Sequence, residues 1–190
     1  MTALLGVLLL AAGWGSSEIA AAEGHEEAVF LFQNRRVLLA VPEGLGFASS
    51  RSDRGLISVR LGHPKDTLSM QIDFLPDPDG ALATARSRKE FMNETFHGYV
   101  ASSTEKAMRF EELDPLVGAG TYCVFTDASL VGKTKLPPGE YLHSTTGIKA
   151  WPGVVAVFTL FSNDTRSKEY QAVMTMLKES VAEAPAPPRR

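Results

Sequence analysis

The residue types best suited to chemistry gather between positions 121 and 147, in the stretch TYCVFTDASLVGKTKLPPGEYLHSTTG. It holds the only cysteine, Cys123, a Gly-Lys-Thr triplet at 132–134, and His143, one of four histidines. Two chemistries are conceivable there, beside a purely structural reading. A thiol with a histidine base would be a nucleophile. A Gly-Lys-Thr triplet closing a glycine-rich loop would cradle a phosphate. Without either, the stretch is two strands and the loop that joins them.

The phosphate loop fails on spacing. It needs a glycine five positions before Gly132, where its amides would ring the anion, and Asp127 stands there with a repelling carboxylate. The triplet reads instead as a polar hairpin loop closed by Pro137-Pro138-Gly139. Cys123 alternates with Tyr122 and Val124 and shares a face with Phe125, the setting of a small core residue rather than a nucleophile. His143 shares its face with Tyr141 and Thr145, and it comes near Cys123 only if the two strands pair suitably. What remains is a contact surface. Lys133 and Lys135 form a basic loop tip, and together with His143 they are the tentative partner-contact residues.

Elsewhere the candidates are thinner. His25, His63 and His97 are scattered, with no H-x-x-x-H or C-x-x-C spacing, so no metal ligands are assigned. Asp73, Asp77 and Asp79 could gather around calcium, but the loop pattern for that ion is missing and a Pro-Asp turn accounts for two of them. A Ser-His-Asp hydrolase lacks the G-x-S-x-G elbow. Asn93-Glu94-Thr95 and Asn163-Asp164-Thr165 match the glycosylation pattern, which matters only on a eukaryotic secretory route. No catalytic residue and no cofactor is assigned.

The elements that must position these residues follow from periodicity. Val37, Leu39 and Val41 alternate before Pro42, and EGLGFASS restarts the strand pattern. Asp53-Arg54-Gly55 reads as a turn into LISVRL. In TLSMQIDF, Leu68, Met70, Ile72 and Phe74 point one way and Ser69, Gln71 and Asp73 the other, an antiparallel strand covered on one side. PDPDG then breaks the pattern. A helix over 81–100 follows from Leu82, Ala85, Met92, Phe96, Tyr99 and Val100 at helical spacing. AMRFEEL, GTYCVFTDA, EYLHSTTGIKA and GVVAVFTLFS read as further strands. The last is apolar on both faces from Val154 to Phe161 apart from Thr159, so it belongs at the centre of a sheet. Asn163, Asp164 and Ser167 are cap candidates for a final helix whose stripe is Tyr170, Val173, Met174, Leu177 and Val181. Strands in runs, split by one helix and closed by another, predict an α+β domain with one antiparallel sheet.

The ends read differently. Residues 1–13, MTALLGVLLLAAG, are an uncharged apolar run, and Ala20-Ala21-Ala22 offers small residues for cleavage, so 1–22 reads as a secretory signal; the alternative is a retained anchor. Residues 23–35 form a polar lead-in and first strand, 36–181 the single domain, and 182–190 a disordered Pro/Ala tail, with EGHEEA at the front also read as mobile. A length of 190 residues fits one domain. A net charge of -3 supplies no positive field for nucleic acid. A lone cysteine in an oxidising compartment makes no internal bridge, so the fold stands on packing.

With VLLAVPEGLGFAS opening the domain and VAVFTLFSNDTRSKEYQAVMTMLKESV closing it, the chain resembles the PsbP-like/DcrB-like fold family, which the Ran-binding Mog family shares. The resemblance spans about 37–181. It implies an α/β/α sandwich, a central antiparallel sheet between helices. It also implies an accessory binding protein without catalytic activity, since characterised members use different surfaces for different partners and no functional residue carries over. The expectation is an exported binding module, periplasmic or secreted, that recognises an envelope protein or a small apolar ligand. Such a module has no nucleic-acid partner and no stable membrane span once the signal is cut. The rival expectations are a small periplasmic hydrolase and a domain retained at the inner membrane.

Overall fold

The computed structural model describes residues 24–32, 35–53 and 55–183; the proposed signal segment and most of the Pro/Ala tail lie outside them. The chain is an α+β domain, but its strands form two sheets rather than one. A seven-stranded sheet has the order β3-β4-β5-β9-β8-β7-β6, and a three-stranded sheet has the order β1-β2-β10. In the large sheet β3 is Gly46–Arg51, β4 Ile57–Gly62, β5 Leu68–Asp77, β6 Glu111–Glu112, β7 Ala119–Thr126, β8 His143–Trp151 and β9 Gly153–Ser162. In the small sheet β1 is His25–Phe30, β2 Arg36–Val41 and β10 Val181–Glu183. Helix α1, Ala85–Ser102, lies between β5 and β6 in the chain, and α2, Lys168–Glu179, between β9 and β10. Every strand pair is antiparallel.

The sheet is built as the alternation dictates. Strand β9 lies between β5 and β8, and both its faces are buried from Val154 to Leu160. Val154, Ala156, Phe158 and Leu160 point to one face, joined there by Leu68, Met70, Ile72 and Phe74 of β5 and by Ile57, Val59 and Leu61 of β4. On the other face Val155 and Val157 meet Ile148, Cys123, Phe125 and, from α1, Met92 and Phe96. The β8–β9 hairpin turns on Pro152 and Gly153, with Gly153 at φ 82°, the conformation a proline-glycine turn requires. Gly147 of β8 leaves room for Phe158: a Cβ there would also stand 2.8 Å from the Thr121 carbonyl oxygen.

Several expectations are corrected. The lead-in is not mobile from His25 onward. It pairs along β2, with Val29 opposite Val37 and buried, because the inward positions of β2 need a partner strand. The tail begins later than expected, because Ala182 and Glu183 pair with Val37 and Arg36 in β10 and Arg36 Nε donates to Glu183 at 2.6 Å. Val181 therefore leaves the helical stripe and pairs with Leu38.

Helix α1 starts at Ala85 rather than 81. The Asp77 carboxylate accepts from the amides of Ala81 and Leu82 and holds a turn there, so Thr84 becomes the cap, accepting from the Ser87 amide. Ala85 is exposed, and Arg88 takes a buried position on the inner face. AMRFEEL contributes only the two-residue β6, and Tyr141-Leu142 precede β8 rather than belonging to it. Of the three cap candidates for α2, Ser167 is the one used, its hydroxyl accepting from the Tyr170 amide at 3.1 Å. Among the described residues no helix is long and apolar enough to cross a membrane.

Candidate functional site

The two faces of the large sheet are covered unequally. The first face carries α2 and the small sheet, which share one continuous cluster of buried side chains with it. The second carries α1, over β7, β8 and part of β9, with Met108 and Phe110 of the following segment packed beside it. Beyond α1 the second face runs across β5, β4 and β3 with half-buried or exposed side chains, polar except for Ala48: Ser69, Gln71 and Asp73, then Ser58 and Arg60, then Ala48 and Ser50. There the Ser58 hydroxyl donates to the Asp73 carboxylate at 2.5 Å and Gln71 donates to the same carboxylate, so this row is tied together at the surface.

A cavity of about 360 Å³ opens where the last turn of α1 meets that face. Helix α1 is clipped to the sheet here. The Thr104 amide donates to the Thr126 carbonyl, and the Ala128 amide to the Ser102 carbonyl. One wall is Tyr99 stacked on Phe125, with ring centres 5.6 Å apart, and another is Tyr141 stacked on Phe161, with centres 5.7 Å apart. Ser69 and Ser144 belong to its lining, as do Asp127 and Glu140. The Asp127 carboxyl is held below its usual range, chiefly by the hydroxyl and amide of Ser129. Burial raises the phenols of Tyr99 and Tyr141, so both rings are neutral at physiological pH.

A second cavity of about 490 Å³ adjoins the first through Gly139 and Glu140. It is formed by the Gly132-Lys133-Thr134 triplet and Pro137-Pro138, against Lys65, Asp66 and Thr67 of the β4–β5 turn. The triplet therefore sits in the connection between two antiparallel strands, with no helix following it, as a hairpin loop should. Lys133 lines this cavity, whereas Lys135 and His143 do not. The three tentative contact residues thus do not line one cavity. His143 is half-buried at the start of β8, its Nδ1 hydrogen-bonded to the Thr126 hydroxyl at 3.1 Å. Burial lowers its pKa, against the pull of Glu105 and Asp164.

Strands β7 and β8 do pair, but not so as to join Cys123 to His143. Thr126 faces His143 and Cys123 faces Thr146, so the thiol and the imidazole lie three rungs apart on opposite faces of the sheet. Burial pushes the Cys123 thiol up to about 12, far from a thiolate at neutral pH. Neither cavity includes Cys123, Thr126 or His143 in its lining. Of the three aspartates considered for calcium, Asp77 holds the turn before α1 and Asp73 is bonded to Ser58 and Gln71; among the described residues no His, Cys, Asp or Glu side chains group as a metal site would require.

Sequence reasoning missed two buried cations. Arg88 of α1 donates through Nε to the Thr121 hydroxyl at 2.9 Å and through Nη1 to the Ala83 carbonyl at 2.8 Å, with Glu112 at 3.4 Å. Lys149 of β8 is fully buried on the first face. Its ammonium donates to the carbonyls of Leu177 at 2.6 Å, Ser180 at 2.7 Å and Lys178 at 3.0 Å, and it stands 4.8 Å from the centre of the Trp151 ring. It caps the carbonyl end of α2, where the helix dipole is negative. Burial draws it down to about 7. The signal was parity: Lys149 sits two positions from Gly147 and Trp151, on the inward side of a strand whose partner is two-faced. No family model, no curated protein and no solved structure matches the chain.

Proposed function

We propose that this chain is an exported, non-catalytic accessory module of PsbP-like character that holds a small ligand at the cell envelope. The observation that carries this reading is the cavity between the end of α1 and the 139–144 segment, walled by two stacked aromatic pairs and serines. Ligand sites are concave and combine apolar surface with polar groups that set orientation, and this cavity sets aromatic rings beside four serines and the carboxylates of Asp127 and Glu140. It opens on the sheet face that α1 leaves partly bare, so a ligand would reach it without displacing the core.

The test is ligand-observed NMR on the full chain, using the small-molecule fraction of the envelope in which it resides. Saturation transfer to one or a few solutes, lost in Tyr141→Ala and Phe161→Ala, is the expected result. No transfer to any solute, with esterase or peptidase turnover that disappears in His143→Ala, would overturn the reading. That outcome would favour the hydrolase alternative, which rests on the hydroxyl of Thr126 beside His143, with Glu105 near both. Export itself is tested by sequencing the N-terminus of the exported form. A chain beginning at Glu23 supports cleavage, and one retaining Met1 favours the membrane-anchored alternative.

A further inference from the structure

We propose that the aromatic cavity at the end of α1 selects a compact organic ammonium ion. The inference rests on the ligand-binding reading above and names the ligand's chemistry. Its ground is the pairing of two features within one lining. Tyr99, Tyr141 and Phe161 supply half-buried aromatic rings, with Phe125 stacked on Tyr99 in the core, and Asp127 and Glu140 supply two carboxylates. No lysine, arginine or histidine lines the cavity; Lys133, whose charge acts on Asp127, lines the neighbouring cavity instead.

Aromatic rings attract a cation through their negative faces, and they do so best when the cation is weakly hydrated, as a methylated ammonium is. Carboxylates at the rim add Coulomb attraction and draw the ion in. A neutral solute gains no charge–charge attraction from either carboxylate, and an anion is repelled by both. A volume of about 360 Å³ lies at the small end of ligand sites, which suits a compact headgroup rather than a long chain. Asp127 also has one oxygen engaged by the Ser129 amide at 2.8 Å, so its carboxylate is held in place.

The experiment titrates the full chain with choline and with 3,3-dimethyl-1-butanol, which has the same shape without the charge. Amide NMR follows both titrations. Choline is expected to bind severalfold tighter than the neutral alcohol, with shifts at Ser69, Tyr141 and Ser144. The double variant Asp127→Asn/Glu140→Gln should weaken choline roughly tenfold, as two partly exposed charges would, and leave the alcohol unchanged. If the double variant folds poorly, Glu140→Gln alone carries the test, because Glu140 is exposed.

Sedimentation with phosphatidylcholine vesicles then assigns the source. Vesicle binding that the double variant loses identifies a lipid headgroup, and choline binding without vesicle binding identifies a free solute. Equal affinity for the two probes, or choline affinity indifferent to the carboxylate variants, overturns the inference and leaves the ligand-binding reading standing. Absence of choline binding, with transfer to an uncharged solute in the envelope screen, has the same meaning. Absence of binding by every probe and every solute, together with His143-dependent turnover, removes both.

Discussion

The two faces of the large sheet solve opposite problems with similar residues. On the first face, among the described residues, every buried polar side chain is answered from inside. Lys149 gives its N–H bonds to the end of α2, Thr145 shares a hydrogen bond with the Tyr170 phenol at 2.8 Å, and Gly147 yields its space to Phe158. On the second face α1 stops short. Beside its end the aromatic pairs flank a cavity, and beyond it Ser58, Gln71 and Asp73 answer one another at the surface. The first face is sealed along its length, whereas the second is sealed only beneath α1 and is free beside the end of that helix to hold a ligand. Substitutions should therefore divide cleanly, with those on the first face lowering stability and those around the cavity altering binding.

The largest effect is expected at Lys149. Lys149→Met keeps the aliphatic stem but leaves the carbonyls ending α2 without the ammonium, and orphaned buried acceptors are costly. We expect a loss of about 3 kcal/mol in urea unfolding. A loss below about 0.5 kcal/mol would mean that water reaches the end of α2, and the contrast between the faces would fail. Gly147→Ala should cost about 2 kcal/mol, because the new methyl would press on Phe158, Tyr122 and the Thr121 carbonyl. Its effect is read as a lower urea midpoint with an unchanged slope.

The pH dependence sharpens the same contrast. Lys149 has a folded pKa drawn down to about 7 from an ordinary 10.5, so above pH 7 the unfolded chain binds the proton more fully than the folded one. Stability then rises with pH between about 7 and 8.5, before the buried thiol and phenols, whose pKa values are raised, act the other way. The carbonyls around Nζ support the charged form, so the rise is expected to be on the order of 1 kcal/mol. Unfolding curves at several pH values check it, and Lys149→Met should remove the difference. The smallest effects belong to the cavity. Glu140→Gln and Ser69→Ala, both on the accessible side, should change stability by under about 0.5 kcal/mol while altering ligand affinity.

Cys123 offers a further check on the sealed interior beneath α1. With its thiol buried and its pKa near 12, it should resist maleimide in the folded chain at pH 8 and react once the chain is unfolded. Labelling of the native protein at the rate of the unfolded one would show that α1 opens readily.

Much of the fold was legible because alternation is a local property. The spacing of Leu68, Met70, Ile72 and Phe74 fixes a strand face, and the two-sided apolar run from Val154 fixes the centre of the sheet whatever surrounds it. The division into two sheets was not legible. Pairing of Val181–Glu183 with β2 joins residues far apart in sequence, and His25–Phe30, though near β2 in the chain, is a short segment of mixed polarity. The start of α1 was misplaced because Asp77 bonds the amides of Ala81 and Leu82, an interaction that hydrophobic periodicity does not register. The cavity was hidden for a similar reason. Tyr99, Phe125, Tyr141 and Phe161 lie in four separate segments, and only the register of β7, β8 and β9, with the docking of α1, brings them together. Sequence reasoning fixed instead on Lys133, Lys135 and His143, which are close in the chain but do not converge on one cavity.

The most direct test of the account is an amide-shift map of the full chain on addition of a panel of small organic solutes. Shifts are expected to cluster at Ser69, Ser102, Tyr141 and Ser144, with Val173 to Leu177 of α2 unmoved. Shifts gathered on α2 and β10, with none around the cavity, would contradict it.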